Sequence, residues 1–226
     1  ILFNNAGVAS SGGETPATVP EMAEHCVAFC RALGLGAINI VGFSLGGMIA
    51  QQLALDHPRL VKRIILLGTG PRGGEGMTFT ELSPEEQADP VAFLLGGFFS
   101  PSKASQAAGR EYMKRLESRK ENRDLHVSRD SAVAQLAAIR EWGTVPSTGR
   151  YATLKEISHP TLIVHGNKDI VVAPPSTMPP SCGRLGPVLP VVAFGIARTS
   201  SMGWRRRRRP SSACSRAATS ASSSFE

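Results

Sequence analysis

A serine between glycines is the residue of this sequence that is most clearly suited to take part in a reaction. It lies in the segment Gly42-Phe43-Ser44-Leu45-Gly46-Gly47, which matches the pattern G-x-S-x-G. The flanking glycines allow a sharp strand-to-helix turn from which the serine side chain stands clear of the sheet edge. The pattern predicts Ser44 as a nucleophile, with the Leu45 N–H at a helix start placed to bind an oxyanion. The alternative is a glycine-rich turn without a catalytic role.

The motif needs a strand before it and a helix after it, and the sequence predicts both. Ala37–Phe43 is a short apolar run typical of a buried strand, and Met48–Leu55 is an apolar helix with few charges. Val61–Leu67 and Thr161–His165 predict later strands, and Ile1–Phe3 resembles the end of an earlier one. Alternating strands and helices indicate an α/β protein with a parallel sheet.

Further helices are predicted on both sides of the motif. Thr18-Val-Pro-Glu21 is a capping-box pattern with proline in the first turn, which predicts the start of a helix. Between Pro71 and about Ser147 the pattern is helical only, with segments at Pro84–Leu95, Ser102–Arg119 and Ser128–Trp142. We interpret this insertion between two strands as a lid.

The net charge of +7 comes from the C-terminal segment alone. Eight of the 25 Lys and Arg residues lie after Ile170, where Glu226 is the sole acid. Residues 171–226 lack Lys, Asp, Asn, Gln and Tyr, and Arg205–Arg209 form a run of five. This composition fits low-complexity disorder. It also fits a GC-rich gene read out of frame, which is the interpretation we favour.

Composition also limits the class of protein. No run of about 18 apolar residues exists, so no transmembrane helix is expected. Cys26 and Cys30 lie four apart on a predicted helix and are expected to be core thiols in a reduced, cytoplasmic compartment. No His or Cys cluster completes a metal site, so no metal or other cofactor is expected. The chain opens at Ile1 with an apolar run that predicts the middle of a strand, so it is expected to be a fragment.

The motifs together resemble the α/β-hydrolase superfamily, in particular its small cofactor-free serine esterases, perhydrolases and haloperoxidase-like members. The resemblance covers about residues 1–175, and its segments are the serine motif at 42–47, Ala54-Leu-Asp-His-Pro58, Val61-Lys-Arg-Ile-Ile-Leu-Leu-Gly68 and Pro160-Thr-Leu-Ile-Val-His-Gly-Asn-Lys-Asp169. The fold it implies is a mostly parallel sheet with a helical lid insertion, incomplete at both termini. Fold alone does not name the reaction.

The resemblance implies a catalytic acid but leaves the catalytic base without a candidate. Gly166-Asn-Lys-Asp169 matches the family's acid turn, so Asp169 would orient a histidine. In the family that histidine follows the acid by a few tens of residues. All the histidines here precede Asp169: His25, His57, His126, His159 and His165. The loop that donates the second oxyanion N–H would precede Ile1, so the chain as written is expected to be close to inactive.

The expected organisation is a hydrolase core with the serine turn at 1–70, a lid at 71–150, a core segment with the acid turn at 151–175, and a disordered tail at 176–226. The expected function is hydrolysis of an ester or similar small acyl substrate, with a small molecule as the only partner and no nucleic acid or membrane. The particular substrate, the choice between hydrolase, perhydrolase and haloperoxidase-like activity, and the oligomeric state stay open.

The sequence leaves three alternatives to this function. A pseudo-hydrolase that binds a ligand without turnover would also lack the histidine. Asn4-Asn-Ala-Gly7 and Tyr151-Ala-Thr-Leu-Lys155 resemble signatures of short-chain dehydrogenases, but they lie much further apart than in that family. No G-x-G-x-x-G follows a strand either. Arg205–Arg209 could bind nucleic acid, but it lacks interleaved aromatic residues and is taken as a solvated run.

Overall fold

A parallel sheet, with three strands among the described residues, is the centre of the structure. The strands are β1 Ile38–Phe43, β2 Val61–Leu67 and β3 Thr161–Val164, in the order β1-β2-β3. The helices are α1 Val19–Ala32, α2 Leu45–Asp56, α3 Pro90–Phe98, α4 Lys103–Ser118 and α5 Arg129–Gly143, and a 3-10 helix spans Ala152–Glu156. These elements come from a computed structural model, which describes residues 1–74, 90–118, 120–121, 125–166 and 172.

The strand register brings three chain segments to one edge of the sheet. Phe43 pairs with Leu67, and Leu67 pairs with Val164, so all three strands end at the same level. The prediction for β2 is confirmed at both ends, and those for β1 and β3 are confirmed to within one residue. Helix α2 connects β1 to β2, which is the crossover that a parallel pair requires.

Helix α1 begins where its sequence predicts. Thr18 is the N-cap, and its hydroxyl oxygen accepts a hydrogen bond from the Glu21 N–H at 3.4 Å. The same hydroxyl donates to the Glu21 carboxylate at 2.8 Å. Helix α1 ends before Gly34, whose φ of 62° is a conformation that glycine adopts without strain.

The core lies between one face of the sheet and helices α1 and α2. Met22 of α1, Met48 and Leu53 of α2, and Ile64 of β2 are almost fully buried. Trp142 of α5 is 1% exposed and belongs to the same core. The last helix of the insertion is therefore anchored in the core, and the boundaries of the proposed lid stay a prediction.

The opposite face of the sheet is apolar toward the carboxyl ends of the strands and only partly covered within the described residues. Val41 is 64% exposed and Phe43 is 43% exposed. In the register, Val41 pairs with Ile65, and Ile65 pairs with Leu162, so an apolar row continues across all three strands. Parallel sheets usually have both faces covered, which fits the apolar residues that these strands carry on both faces.

One predicted strand is wrong. Ile1–Phe3 form no strand, and Ile1 and Leu2 are 88% and 96% exposed. A strand needs a neighbour for its backbone hydrogen bonds, and none of the described residues pairs with this segment. Phe3 instead packs on Phe29 of α1, with 5.2 Å between the ring centroids.

The remaining predictions concern Asp169, the C-terminal segment, the two cysteines and membrane-spanning helices. Asp169 and the whole segment 176–226 lie outside the described residues. Cys26 and Cys30 are free thiols, half-buried and buried respectively. Among the described residues, no helix is long and apolar enough to cross a membrane.

Candidate active site

Ser44 occupies the turn between β1 and α2, as its motif predicts. It is the N-cap of α2 with φ 50° and ψ −120°, a combination that L-residues rarely adopt. Such a conformation costs about 1–3 kcal/mol and persists only where the surrounding structure imposes it. A serine at an N-cap normally accepts a hydrogen bond from the helix, but the Ser44 hydroxyl makes no capping bond. The hydroxyl is therefore not used by the helix.

Two of the three motif glycines are required because neighbouring atoms approach them too closely for a side chain. A Cβ on Gly42 would lie 2.3 Å from the Gly46 carbonyl oxygen, so β1 can meet the start of α2 only without a side chain there. A Cβ on Gly47 would lie 2.4 Å from Cγ2 of Thr69. Gly46 has open space at its Cβ position. The glycines at 42 and 47 therefore make the turn possible, while Gly46 meets no such constraint.

The backbone of Ser44 is held by the end of β2 and by the segment that follows it. The Ser44 N–H donates to the Leu67 carbonyl at 3.0 Å, which continues the sheet by one residue. The Thr69 hydroxyl donates to the Ser44 carbonyl at 2.7 Å. Thr69 is 6% exposed, so this hydrogen bond is shielded from water. These contacts fix the strained conformation of Ser44.

The start of α2 directs free N–H groups toward the edge of the sheet where Ser44 lies. The first N–H groups of a helix have no acceptor in a preceding turn, which applies to Leu45 and Gly46. Leu45 is buried, at 9% exposure. The helix dipole adds partial positive charge at this end. An anionic oxygen near the Ser44 side chain could therefore be stabilised by the Leu45 N–H.

A buried carbonyl joins this region to the inserted helices. The Gly70 carbonyl accepts hydrogen bonds from Gln51 Nε2 at 3.1 Å and from Trp142 Nε1 at 3.2 Å. Arg72 forms an ion pair with Glu141, and its guanidinium lies 5.5 Å from the centroid of the Trp142 ring. Helix α5 is thereby fixed next to the loop that contacts Ser44.

Two histidines lie at the edge of the sheet opposite Ser44. His57 follows α2, and its Nε2 is 2.6 Å from Glu24 Oε1. Helix α2 has 12 residues, so about 18 Å separates its two ends. His159 Nε2 donates to the Pro58 carbonyl at 2.9 Å, also before the strands begin. Neither ring can act on Ser44 from there.

His165 lies at the same edge as Ser44 but two strands away. It follows Val164, so adjacent-strand spacing puts its backbone about 10 Å from that of Ser44. The hydrogen bond described for its ring goes to the Val172 carbonyl at 3.1 Å. The two other histidines, His25 and His126, are exposed, the first on α1 and the second before α5. The structure thus brings Ser44 and Leu45 together and no histidine to them.

Sequence reasoning missed three residues of this region. Thr69 follows β2 at the same edge as Ser44, and its place in Gly68-Thr69-Gly70 was a usable signal. Gln51 is an amide in a mostly apolar helix, and a buried polar side chain usually makes a hydrogen bond. No local sequence pattern indicates that Trp142 contacts Gly70. Among the described residues, no group of three or more His, Cys, Asp or Glu side chains could hold a metal ion.

Comparison with known proteins identifies the family. The family described as alpha/beta hydrolase fold matches residues 1–195. The chain belongs to the α/β-hydrolase fold family. The predicted fold class, with its parallel sheet and flanking helices, is therefore confirmed.

The relatives of this chain include enzymes that are named for different activities. An alpha/beta hydrolase fold protein from Chitinophaga pinensis is 34% identical with a TM-score of 0.67, over 76% of this chain and 62% of that one. Est816, described as an N-acyl homoserine lactone degrading enzyme, is 33% identical with a TM-score of 0.52, over 75% and 64% of the two chains. RutD of Agrobacterium fabrum, named provisionally as a carbamate hydrolase, is 26% identical over 76% of this chain and 65% of its own length. The chain thus spans less than two-thirds of the length of each of these relatives.

Proposed function

We propose that Ser44 is the nucleophile of a serine hydrolase that acts on esters or similar small acyl substrates. The observation that carries the proposal is the strained backbone of Ser44, together with a hydroxyl that makes no capping hydrogen bond. Strain of this kind concentrates at functional sites, because it holds a reactive group where an ordinary turn would not. In the reaction, Ser44 Oγ attacks the substrate carbonyl and the alcohol leaves, which yields an acyl-enzyme that water then hydrolyses.

The Leu45 N–H is proposed to bind the oxyanion that forms during this attack. It belongs to the first residue of α2, where the helix offers no internal acceptor. A donor fixed at the site before the reaction stabilises developing charge without reorganisation, and loss of one such donor costs about 3–4 kcal/mol. Strain at Ser44 and a helix N-terminus at Leu45 therefore serve the same step.

Asp169 is proposed to orient the catalytic histidine, and that histidine is the component this sequence lacks. No histidine follows Asp169. Loss of a triad member typically lowers the rate by about four to six decades. Without a base the Ser44 hydroxyl keeps an alcohol-like acidity and is a poor nucleophile at neutral pH. The chain is therefore expected to react slowly and to turn over p-nitrophenyl esters little or not at all.

The relatives support an acyl substrate without selecting one. Their names refer to a lactone and to a carbamate, and both compounds present a carbonyl carbon to a nucleophile. We therefore propose a small carbonyl compound as the substrate class, with no cofactor required and the cytoplasm as the site of action.

The test is acylation of Ser44 by p-nitrophenyl acetate, followed by peptide mass mapping. Slow deacylation without a base should leave the acetyl group in place, so a stable mark on Ser44 is expected. Ser44→Ala should remove the mark, and Ser100→Ala, which changes an exposed serine far along the chain, should keep it. Acetylation that spreads equally over exposed serines would refute the proposal.

Restored activity provides a second arm of the test. A chain extended with a family-like front segment and a C-terminal Gly-His segment should hydrolyse p-nitrophenyl esters. That activity should vanish with Ser44→Ala and fall strongly with Asp169→Asn. If Ser44→Ala keeps the restored activity, the nucleophile lies elsewhere. If the original chain already hydrolyses esters and His165→Ala abolishes this, His165 is the base.

The second candidate function is ligand binding without catalysis, favoured by the absence of a histidine after Asp169. The nucleotide sequence beyond the codon for Pro174 separates the two candidates. A Gly-His encoded there in another reading frame indicates an active parent enzyme interrupted by a frameshift. If no frame encodes a histidine in that region, the non-catalytic protein is the better explanation.

A further inference from the structure

The Ser44 carbonyl accepts an unusual set of hydrogen bonds. The N–H groups of Gly47 and Met48 donate to it at 2.8 and 3.3 Å, as the first turn of a helix provides. The Thr69 hydroxyl donates to the same oxygen at 2.7 Å from outside the helix. Thr69 is 25 residues away in the chain and lies beside Ser44 only because β1 and β2 are paired.

That carbonyl shares a peptide group with the proposed oxyanion donor. The Ser44 C=O and the Leu45 N–H belong to one planar unit and point in opposite directions. A partner that fixes the oxygen therefore fixes the direction of the N–H. A donor on the carbonyl also polarises the peptide group, which strengthens the N–H as a donor at its other end.

Thr69 is itself held in place. It is almost fully buried, and it follows β2 by two residues. The neighbouring Gly68 N–H donates to the Val164 carbonyl at 3.0 Å, which ties this segment to β3. The Thr69 side chain also packs against Gly47, where no Cβ would fit. A β-branched side chain with these contacts has little freedom to rotate.

We propose that Thr69 is a positioning residue for the oxyanion donor, because its hydroxyl sets the plane of the Ser44–Leu45 peptide so that the Leu45 N–H points toward the bound carbonyl oxygen. The inference rests on the proposed function of Ser44. It adds to that function a residue that touches neither the substrate nor the hydroxyl that attacks it. The Thr69 hydroxyl acts only through the backbone of Ser44.

The first test is spectroscopic and needs no catalysis. One cross-peak of an HNCO spectrum correlates the Leu45 N–H with the Ser44 carbonyl carbon. Thr69→Val removes the hydroxyl and keeps the shape, so it should shift this carbonyl resonance upfield, whereas Thr69→Ser should leave it near its original position. Thr161→Val is the matched control, because the Thr161 hydroxyl also donates to a backbone carbonyl, that of His159 at 2.9 Å.

The second test measures reaction at Ser44. A small alkyl fluorophosphonate forms an Oγ–P bond and releases fluoride, with the proton going to water, and negative charge develops on the phosphoryl oxygen. Thr69→Val should lower the maximal labelling rate about tenfold, as loss of one orienting hydrogen bond implies, with little change in the inhibition constant. Thr69→Ser and Thr161→Val should label like the wild type. If Thr69→Val does not fold, Thr69→Ala compared with Thr69→Ser isolates the same hydroxyl.

The outcomes separate the two proposals. A folded Thr69→Val chain with an unmoved Ser44 resonance and an unchanged labelling rate overturns the role of Thr69. An equal loss of rate in Thr161→Val does the same, because the effect would then be general. Absence of label on Ser44 in the wild type even after prolonged incubation with excess fluorophosphonate contradicts the proposed nucleophile, and the HNCO comparison then still decides whether Thr69 holds this peptide.

Discussion

Replacing Gly47 by alanine should disturb the Ser44 turn through a clash with one residue, Thr69. The added methyl would lie 2.4 Å from Cγ2, 2.7 Å from Cβ and 2.8 Å from Oγ1 of Thr69. Thr69 cannot simply swing away, because it is β-branched and its hydroxyl is bonded to the Ser44 carbonyl. Overpacking of this kind costs about 1–3 kcal/mol. Alanine also raises helix propensity by up to about 1 kcal/mol, which opposes the clash.

Gly46→Ala is the matched control for this prediction, because it adds the same methyl to the same helix turn in open space. The propensity gain cancels between the two variants, so Gly47→Ala should be less stable than Gly46→Ala by about 1–3 kcal/mol. Urea unfolding followed by circular dichroism gives the two free energies of unfolding if the m-values agree. Adding Thr69→Ser to Gly47→Ala removes Cγ2, the atom nearest to the new methyl. The double variant should therefore recover part of the lost free energy of unfolding. Equal stability of the two alanine variants would refute the reasoning.

Three further predictions concern strain, ionisation and a buried amide. Ser44→Gly should raise the free energy of unfolding by about 1–2 kcal/mol, because glycine adopts a positive φ without strain; urea curves that coincide with those of the wild type would contradict this. Burial and the neighbouring Cys30 raise the pKa of the Cys26 thiol to about 12 from 9.0. The unfolded thiol therefore ionises first, and stability should fall as pH rises from about 9 to about 12. Cys26→Ala should show a shallower fall, and identical pH profiles would exclude this thiol as the cause. Gln51→Leu should cost about 1–3 kcal/mol, because its buried amide donates to two backbone carbonyls, including that of Gly70; an unchanged unfolding midpoint would show that the amide adds nothing.

Much of the fold could be predicted because its signals are local. Val61–Leu67 was predicted as a strand to the residue, and the capping pattern at Thr18 correctly marked the start of α1. The serine motif placed Ser44 between a strand and a helix. Each of these depends on neighbouring residues, whose preferences for strand, cap or turn act before the chain is folded. The strand predicted at Ile1–Phe3 is wrong because an apolar run forms a strand only beside another strand.

The sequence by itself determined the family, the order of strands and helices, the position of Ser44, and the fact that no histidine follows Asp169. Only the tertiary structure decided which residues hold Ser44 in its strained conformation. Thr69 reaches the Ser44 carbonyl, and Trp142 reaches Gly70, across 25 and 72 positions of chain. Such contacts depend on how the parallel strands are paired and where the crossover helix packs against them. No local preference encodes that arrangement, because it arises from burial and backbone hydrogen bonding of the whole sheet.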